Sequence, residues 1–155
     1  MSGVSAGVIE VCVFRFTRDR PEYLLLRRSP DENLYPGMWQ IVTGTTEENE
    51  KAYEAALREV REETALRPER FWIVPYTNAF YDRHSDAVIL IPFFAAQVRS
   101  SDDPVLSAEH SAGEWLPYDQ ALKRLVWPGQ RRGVEIVHQY ILGGQEAASL
   151  IALPV

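Results

Sequence analysis

The sequence predicts an α-β-α sandwich around a mixed β-sheet, and three observations carry that expectation. Ala6 to Phe16 and Ala87 to Val98 bear apolar residues on both alternating faces, the pattern of strands covered on both sides. The second half of the stretch Gly44 to Leu66 is rich in helix formers and holds no Gly or Pro. Two more helix signals end the chain, with Pro117 and Pro128 each placed as a first helical residue. Strands with helices between and after them pack as a sheet with helical layers on both faces.

In chain order, Val8, Ile9, Val11, Val13, Phe14 and Phe16 make the first strand β-branched and aromatic. Thr17 to Pro21 is a polar turn, and Glu22 to Arg27 is the returning strand. Arg27 and Arg28 close it, either as a solvated strand end or as a basic contact for phosphate. Ser29 to Met38, with Pro30, Pro36 and Gly37, is a loop. Trp39 to Thr43 is a short strand leading into the Gly44 loop, with Trp39 expected to pack rather than to stack on a base. Phe71 to Tyr81 reads as a strand broken near Pro75. The polar tip Asp82 to Asp86 holds Arg83 and His84, which either touch a substrate or are merely solvated. Within Ala87 to Val98, Pro92 implies a bulge or an edge position. Arg99 to His110 is a long polar loop and Glu114 to Leu116 a brief strand. Helices follow over Tyr118 to Val126 and Pro128 to Leu142, the latter stopped by Gly143-Gly144. Val134, Val137 and Ile141 share one face of it and should pack in the core. Without a repeat, a low-complexity segment or a linker, residues 1–155 are expected to form one domain.

Bulk properties narrow the function classes. A chain of 155 residues with 46% hydrophobic and 25% charged residues has the composition of a globular domain. Its net charge of −6 argues against a general nucleic-acid or membrane-surface binder. An anionic substrate would therefore need metal ions and a local basic lining. The single Cys12 leaves no intramolecular disulfide and fits a reducing compartment. Without a signal-peptide pattern or an apolar run long enough to span a bilayer, cytoplasm is the expected location.

Glu59, Glu62 and Glu63 stand at i, i+3 and i+4, which sets three carboxylates on one helical face. Like charges so placed cost roughly 0.2–0.5 kcal/mol per pair. Arg58, four residues from both Glu54 and Glu62, relieves only part of that repulsion. Either the face is simply a glutamate-rich solvated surface, or it holds a cation. Hard oxygen donors favour Mg²⁺, Mn²⁺ or Ca²⁺ over zinc.

From Gly44 the pattern runs through Glu50, Arg58-Glu59, the aliphatic Val60, Arg61, Glu62-Glu63 and Thr64 to Ala65-Leu66. This resembles the Nudix box, the signature of hydrolases that cleave a nucleoside diphosphate linked to another group. The departure is Ala65, where the family has a glycine able to supply a left-handed helix exit. Thr43 and Asn49 also stand where glycine is common, and Asn tolerates positive φ. Leu106 to His110, followed by Glu114-Trp115-Leu116, looks like two Nudix subgroups. One comprises dihydroneopterin triphosphate pyrophosphatase and its dATP-cleaving relatives, which also share Trp39-Gln40-x-Val42-Thr43-Gly44. The other is the asymmetric diadenosine tetraphosphate hydrolases.

The resemblance implies the Nudix fold and an enzyme requiring Mg²⁺ or Mn²⁺. It implies Glu59 and Glu63 as firm metal ligands, the Thr43 carbonyl completing the shell, and Glu62 as ligand or water base. Glu109 becomes a second candidate base and Arg58 a brace for the acids. Glu47 and Glu50 either reach a second metal or cap the helix, and Arg27, Arg83 and His84 are weaker substrate contacts. The expected reaction is cleavage of a nucleoside or pterin triphosphate to monophosphate and pyrophosphate, with dinucleoside tetraphosphate cleavage to ATP and AMP as the alternative. A non-catalytic nucleotide-binding module is disfavoured because every box acid is kept. The expected partner is a small nucleoside polyphosphate, with no nucleic acid or membrane, for a monomer or homodimer.

Overall fold

The computed structural model describes residues 3–144 and 146–155. Strands β1 (Gly3–Ser5), β2 (Val8–Thr17), β3 (Arg20–Arg28), β4 (Trp39–Gln40) and β5 (Val42–Thr45) precede helix α1 (Ala52–Thr64). Then come β6 (Arg70–Asp82), β7 (Ala87–Gln97) and β8 (His110–Pro117), followed by α2 (Tyr118–Arg124) and α3 (Pro128–Ile136). A π-helical turn, Val137–Ile141, extends α3, and α4 (Glu146–Leu150) and β9 (Ala152–Leu153) follow.

The main strand order is β4-β3-β2-β7-β6-β9, with β1 on β7, β5 on β2 and β8 on β3. The sheet is mixed because β2 runs parallel to β7, Glu10 opposite Phe93, while β3 and β5 flank β2 antiparallel. Strand alternation sorts the core into two layers. Ile9, Val11 and Val13 of β2 pack on one side with Ala55, Ala56 and Val60 of α1. Cys12 and Phe14 pack on the other with Ala121, Val134 and Val137. This is the expected α-β-α sandwich.

Local chemistry explains where elements begin and end. The backbone N–H of Lys51 donates to Glu54 Oε2 at 3.0 Å, so an acid in the first turn caps the start of α1. At its end Ala65 adopts φ 59° and ψ 6°, and its N–H donates to Arg61 O at 2.8 Å. The alanine therefore takes up the left-handed exit that a glycine would supply. Asn49, at φ 64°, likewise occupies the left-handed region.

Four features depart from the expectations. The brief strand at Glu114 is the full β8, paired to β3 from Arg28↔His110 to Glu22↔Pro117. Its Ser-Ala-Gly run has weak strand preference, so pairing with β3 rather than propensity sets its length. Pro92 lies in β7, an interior strand of the sheet, and the irregularity falls on its partner, where β6 shifts register between Ile73 and Thr77. The short β1, α4 and β9 carry no clear sequence signal. Finally, the last long helix widens into a π turn from Val137. That turn carries His138, whose Nδ1 lies 2.7 Å from the Tyr23 hydroxyl and whose ring stacks on Tyr118 at 3.8 Å.

A residue with a Cβ strains at positive φ, so Ala65→Gly should raise unfolding free energy by about 1 kcal/mol in urea titration. Burial lowers the His138 pKa, so between its ordinary and lowered values the unfolded chain binds more protons. Stability from this group is present above the ordinary histidine value and lost as pH falls through the lowered one. Tyr23 and Tyr118 face the ring, and Glu135 and Arg132 act on Tyr118. The urea midpoint of wild type should fall more between pH 7.5 and about 5 than that of His138→Gln.

Candidate active site

Thr43 and Gly44 of β5 lie against α1. A Cβ on Gly44 would overlap the Glu59 side chain, so glycine is what lets the loop approach this helix face. The Arg58 guanidinium ties loop to helix. It donates to Glu50 through two bonds of 2.8 and 2.9 Å, to Glu59 Oε1 at 2.8 Å, to Glu62 Oε2 at 3.1 Å and to the Thr45 carbonyl at 2.8 Å. Glu50 also accepts the Glu47 N–H at 2.8 Å. The arginine holds the Glu50 carboxyl down at about 2, with the Glu47 N–H assisting.

Glu63 is different. It is 2% exposed, and among the described residues neither carboxylate oxygen has a hydrogen-bond partner. Burial pushes its pKa up to about 9, with Glu59 and Glu109 adding to the rise. The Arg28 guanidinium and the Thr43 N–H, which faces the carboxylate without reaching hydrogen-bond geometry, favour the charged form but are outweighed. Glu59 is raised in the same direction, chiefly by burial and against the pull of Arg58.

The 99–109 loop reaches this site through backbone bonds. Val105 N–H donates to Thr64 O at 2.8 Å and Ser107 N–H to Glu63 O at 3.3 Å, while Ser29 N–H donates to Glu109 O at 2.8 Å. Glu109 is thus anchored at its backbone with its side chain exposed. Beside it His110 is buried next to Arg28, and burial first, then that cation, pulls its pKa down to about 4. Its Nε2 lies 3.5 Å from Gln40 Nε2. Buried polar atoms without partners among the described residues gather here too: Ser107 Oγ and His110 Nδ1 join both Glu63 oxygens. Such groups are rare inside proteins unless they serve a site.

The structure thus brings together Thr43, Arg58, Glu59, Glu62, Glu63 and Glu109. It does not bring Arg27, Arg83 and His84 to them. Strand alternation turns Arg27 to the Trp39 face of the sheet, where its Nε donates to Gly37 O at 3.2 Å. Arg83 and His84 sit at the exposed β6–β7 tip, where the His84 N–H donates to Asp82. Arg28, Gln40, Ser107 and His110 are neighbours that the box pattern does not specify. The alternation of Leu24 and Leu26 could have assigned Arg28 to the α1 face. Two surface clefts of about 320 and 400 Å³ lie elsewhere, one lined by Phe16, Trp72 and Ile141 and the other by Leu66, Arg67 and Arg99.

The donor set suits a hard divalent cation. Glu63 presents two buried oxygens without partners, and Glu59 stands one turn away on the same face. As placed, no three acid, histidine or cysteine side chains among the described residues converge on one point. Arg58 draws Glu59 and Glu62 toward itself, so a cation would compete with it for both. Gly44→Ala should displace the Glu59 carboxylate and lower kcat about a hundredfold, with the circular dichroism spectrum unchanged.

Comparisons with known proteins fit this geometry. The NUDIX domain model matches residues 7–136. An octanoyltransferase from Myxococcus xanthus is 36% identical over 135 residues, which is 82% of this chain and 35% of that protein. Dihydroneopterin triphosphate diphosphatase of Escherichia coli strain K12 is 40% identical over 58 residues, 37% of this chain and 36% of that protein. The match thus spans about a third of the length of each of these relatives. An Ap4A hydrolase from C. elegans, solved as a binary complex, superimposes with a TM-score of 0.75 at 22% identity. That superposition covers 88% of this chain and 97% of the other, and it shows a shared fold.

Proposed function

The chain belongs to the NUDIX domain family, and from that premise we propose that it is a divalent-metal-dependent hydrolase of nucleoside diphosphate-linked compounds. The preferred substrate is a nucleoside or pterin triphosphate, cleaved to a monophosphate and pyrophosphate. The observation that carries this reading is Glu63, a buried carboxylate whose oxygens have no partner among the described residues, beside two further acids.

Mg²⁺ or Mn²⁺ held by Glu59, Glu63 and the Thr43 carbonyl, with Glu62 as a further ligand, would screen the phosphate oxygens and acidify a bound water. The chain's own residues do the rest. Glu62 and Glu109 have exposed side chains on the rim and are the candidate bases that take the proton from water. Arg58 braces Glu59 and Glu62 and neutralises Glu50. Arg28 supplies positive charge beside Glu63 for an anionic substrate. Burial of Glu63 keeps competing water away from the carboxylate.

The dinucleoside alternative rests on the Glu109-His110 pair ahead of the Trp115-Leu116 strand. Product analysis separates the two readings. Hydrolysis of dATP or dihydroneopterin triphosphate should release pyrophosphate, whereas diadenosine tetraphosphate would yield ATP and AMP. Chelation should abolish turnover, and Mg²⁺ should restore it. Glu59→Gln or Glu63→Gln should lower kcat by about two to three orders of magnitude, the several kcal/mol that cation binding supplies. Glu54→Gln, which alters only the cap of α1, should stay close to wild type. Full activity after exhaustive chelation, or equal losses in all three variants, would overturn the proposal.

A further inference from the structure

On the face of the sheet opposite α1, the end of the chain folds back and leaves a cleft of about 320 Å³. Gly144, at φ 70°, makes the reversal that lets α4 return across the sheet. The segment is then fastened to β6: Ala152 stands opposite Trp72, and the Ile73 N–H donates to Ile151 O at 2.9 Å. Ile141, Leu142 and Ala148 make the roof of the cleft, and Phe16 and Trp72 its floor. The floor is rigid. Phe14 stacks on Trp72 at 5.8 Å between centroids and meets Phe16 edge to face at 5.9 Å.

The mouth of this apolar cleft carries a cation. Arg70 stands opposite Gln97 in the β6–β7 pairing, so both side chains leave the sheet on the Trp72 side. The Arg70 guanidinium lies over the Trp72 ring, its Cζ 5.0 Å from the centroid. A ring face fixes the position of a guanidinium without using its N–H groups. Among the described residues no carboxylate or carbonyl accepts those N–H groups, although Arg70 lines the cleft. The planar fork is thus held in place with its donors free.

That pairing of surfaces selects a ligand. Apolar walls reward burial of a hydrocarbon body, and a free guanidinium at the rim rewards a carboxylate, which it can bond through two nitrogens. The volume stands at the small end of ligand cavities, which run upwards from roughly 300 Å³. A nucleoside triphosphate would press several charges against Ile141 and Ala148 with one cation to meet them, so this is no second substrate site. Aliphatic groups facing the rings suit a flexible chain.

We propose that this cleft binds a medium-chain aliphatic carboxylate, its alkyl chain between Trp72 and the Ile141–Ala148 roof and its head group on Arg70 beside Gln97. The site stands apart from the acids of α1, so it does not rest on the hydrolase reading.

The test is calorimetry of the full chain with straight-chain carboxylates from hexanoate to dodecanoate, each kept below its micelle concentration. Wild type should bind one molecule, and each added methylene should tighten binding about fourfold until the cleft is full. The alcohol of the same chain length should bind more weakly and the amine not at all. Arg70→Gln should weaken carboxylate binding about ten- to hundredfold, with Arg70→Lys recovering part of it. Ala148→Phe should fill the cleft and abolish binding while the circular dichroism spectrum is kept. Arg67→Gln, in the other surface cleft, should bind as wild type.

The site is overturned if wild type binds none of the carboxylates, or if Arg70→Gln or a folded Ala148→Phe binds as wild type does. Equal losses in Arg67→Gln, or an alcohol that binds as tightly as the carboxylate, would also overturn it. So would binding to vesicles of anionic phospholipid without binding to any free carboxylate, which would make the face a membrane contact instead. Should Ala148→Phe not fold, Arg70→Gln decides alone. Carboxylate binding that depends on Arg70 in a protein without hydrolase activity would uphold the site while sinking the hydrolase reading.

Discussion

The guanidinium of Arg58 is the interaction on which the site depends. It gathers Glu50 from the loop, Glu59 and Glu62 from the helix, and the Thr45 carbonyl from the strand end. Without it four acids would crowd one helix and its approach loop in a chain that is already −6. A lysine could not replace it, because only the planar fork can bond Glu50 through two nitrogens while reaching two further acids. The pairing also divides the carboxylates by environment. Glu50 is held strongly acidic, whereas Glu63, beyond the reach of Arg58, is left buried and pushed toward its neutral form. One cation thus separates a structural acid from an acid suited to bind metal.

Much of the fold was legible because its signals are local. The two-faced apolar strands, the helix over the second half of the Gly44–Leu66 stretch and Pro128 at the start of α3 all reflect periodicity or backbone chemistry within a few residues. Pro117, by contrast, ends β8 in extended conformation and stands one residue before α2. What escaped depends on distant partners. The length of β8 is set by β3, and the irregularity opposite Pro92 lies in another strand. The π turn at Val137 coincides with a hydroxyl contributed from β3, 115 residues away in sequence.

The site was readable to a similar degree. Glu59, Glu62 and Glu63 are joined by helical spacing, and spacing survives folding. Arg27, Arg83 and His84 offer only a polar or basic side chain, and that does not say which way a strand or hairpin faces. Arg28 shows the point: one residue from Arg27, it lies on the other face of the sheet, toward Glu63. Ala65 gives the reverse lesson. Its mismatch to the Nudix pattern alters the residue and not the backbone, because the helix exit imposes the same geometry on either.

Cys12 has a consequence for the dynamics of the sheet. Its thiol is 1% exposed, and its strand is flanked by β3 and β7. Burial also pushes its pKa up, so the reactive thiolate is suppressed as long as the sheet is closed. A thiol-specific reagent can modify this chain only in the moments when the central strand comes free. The lone sulfur is therefore a built-in clock: its rate of labelling times the opening of the whole sandwich, with no probe added and no other cysteine to confuse the signal.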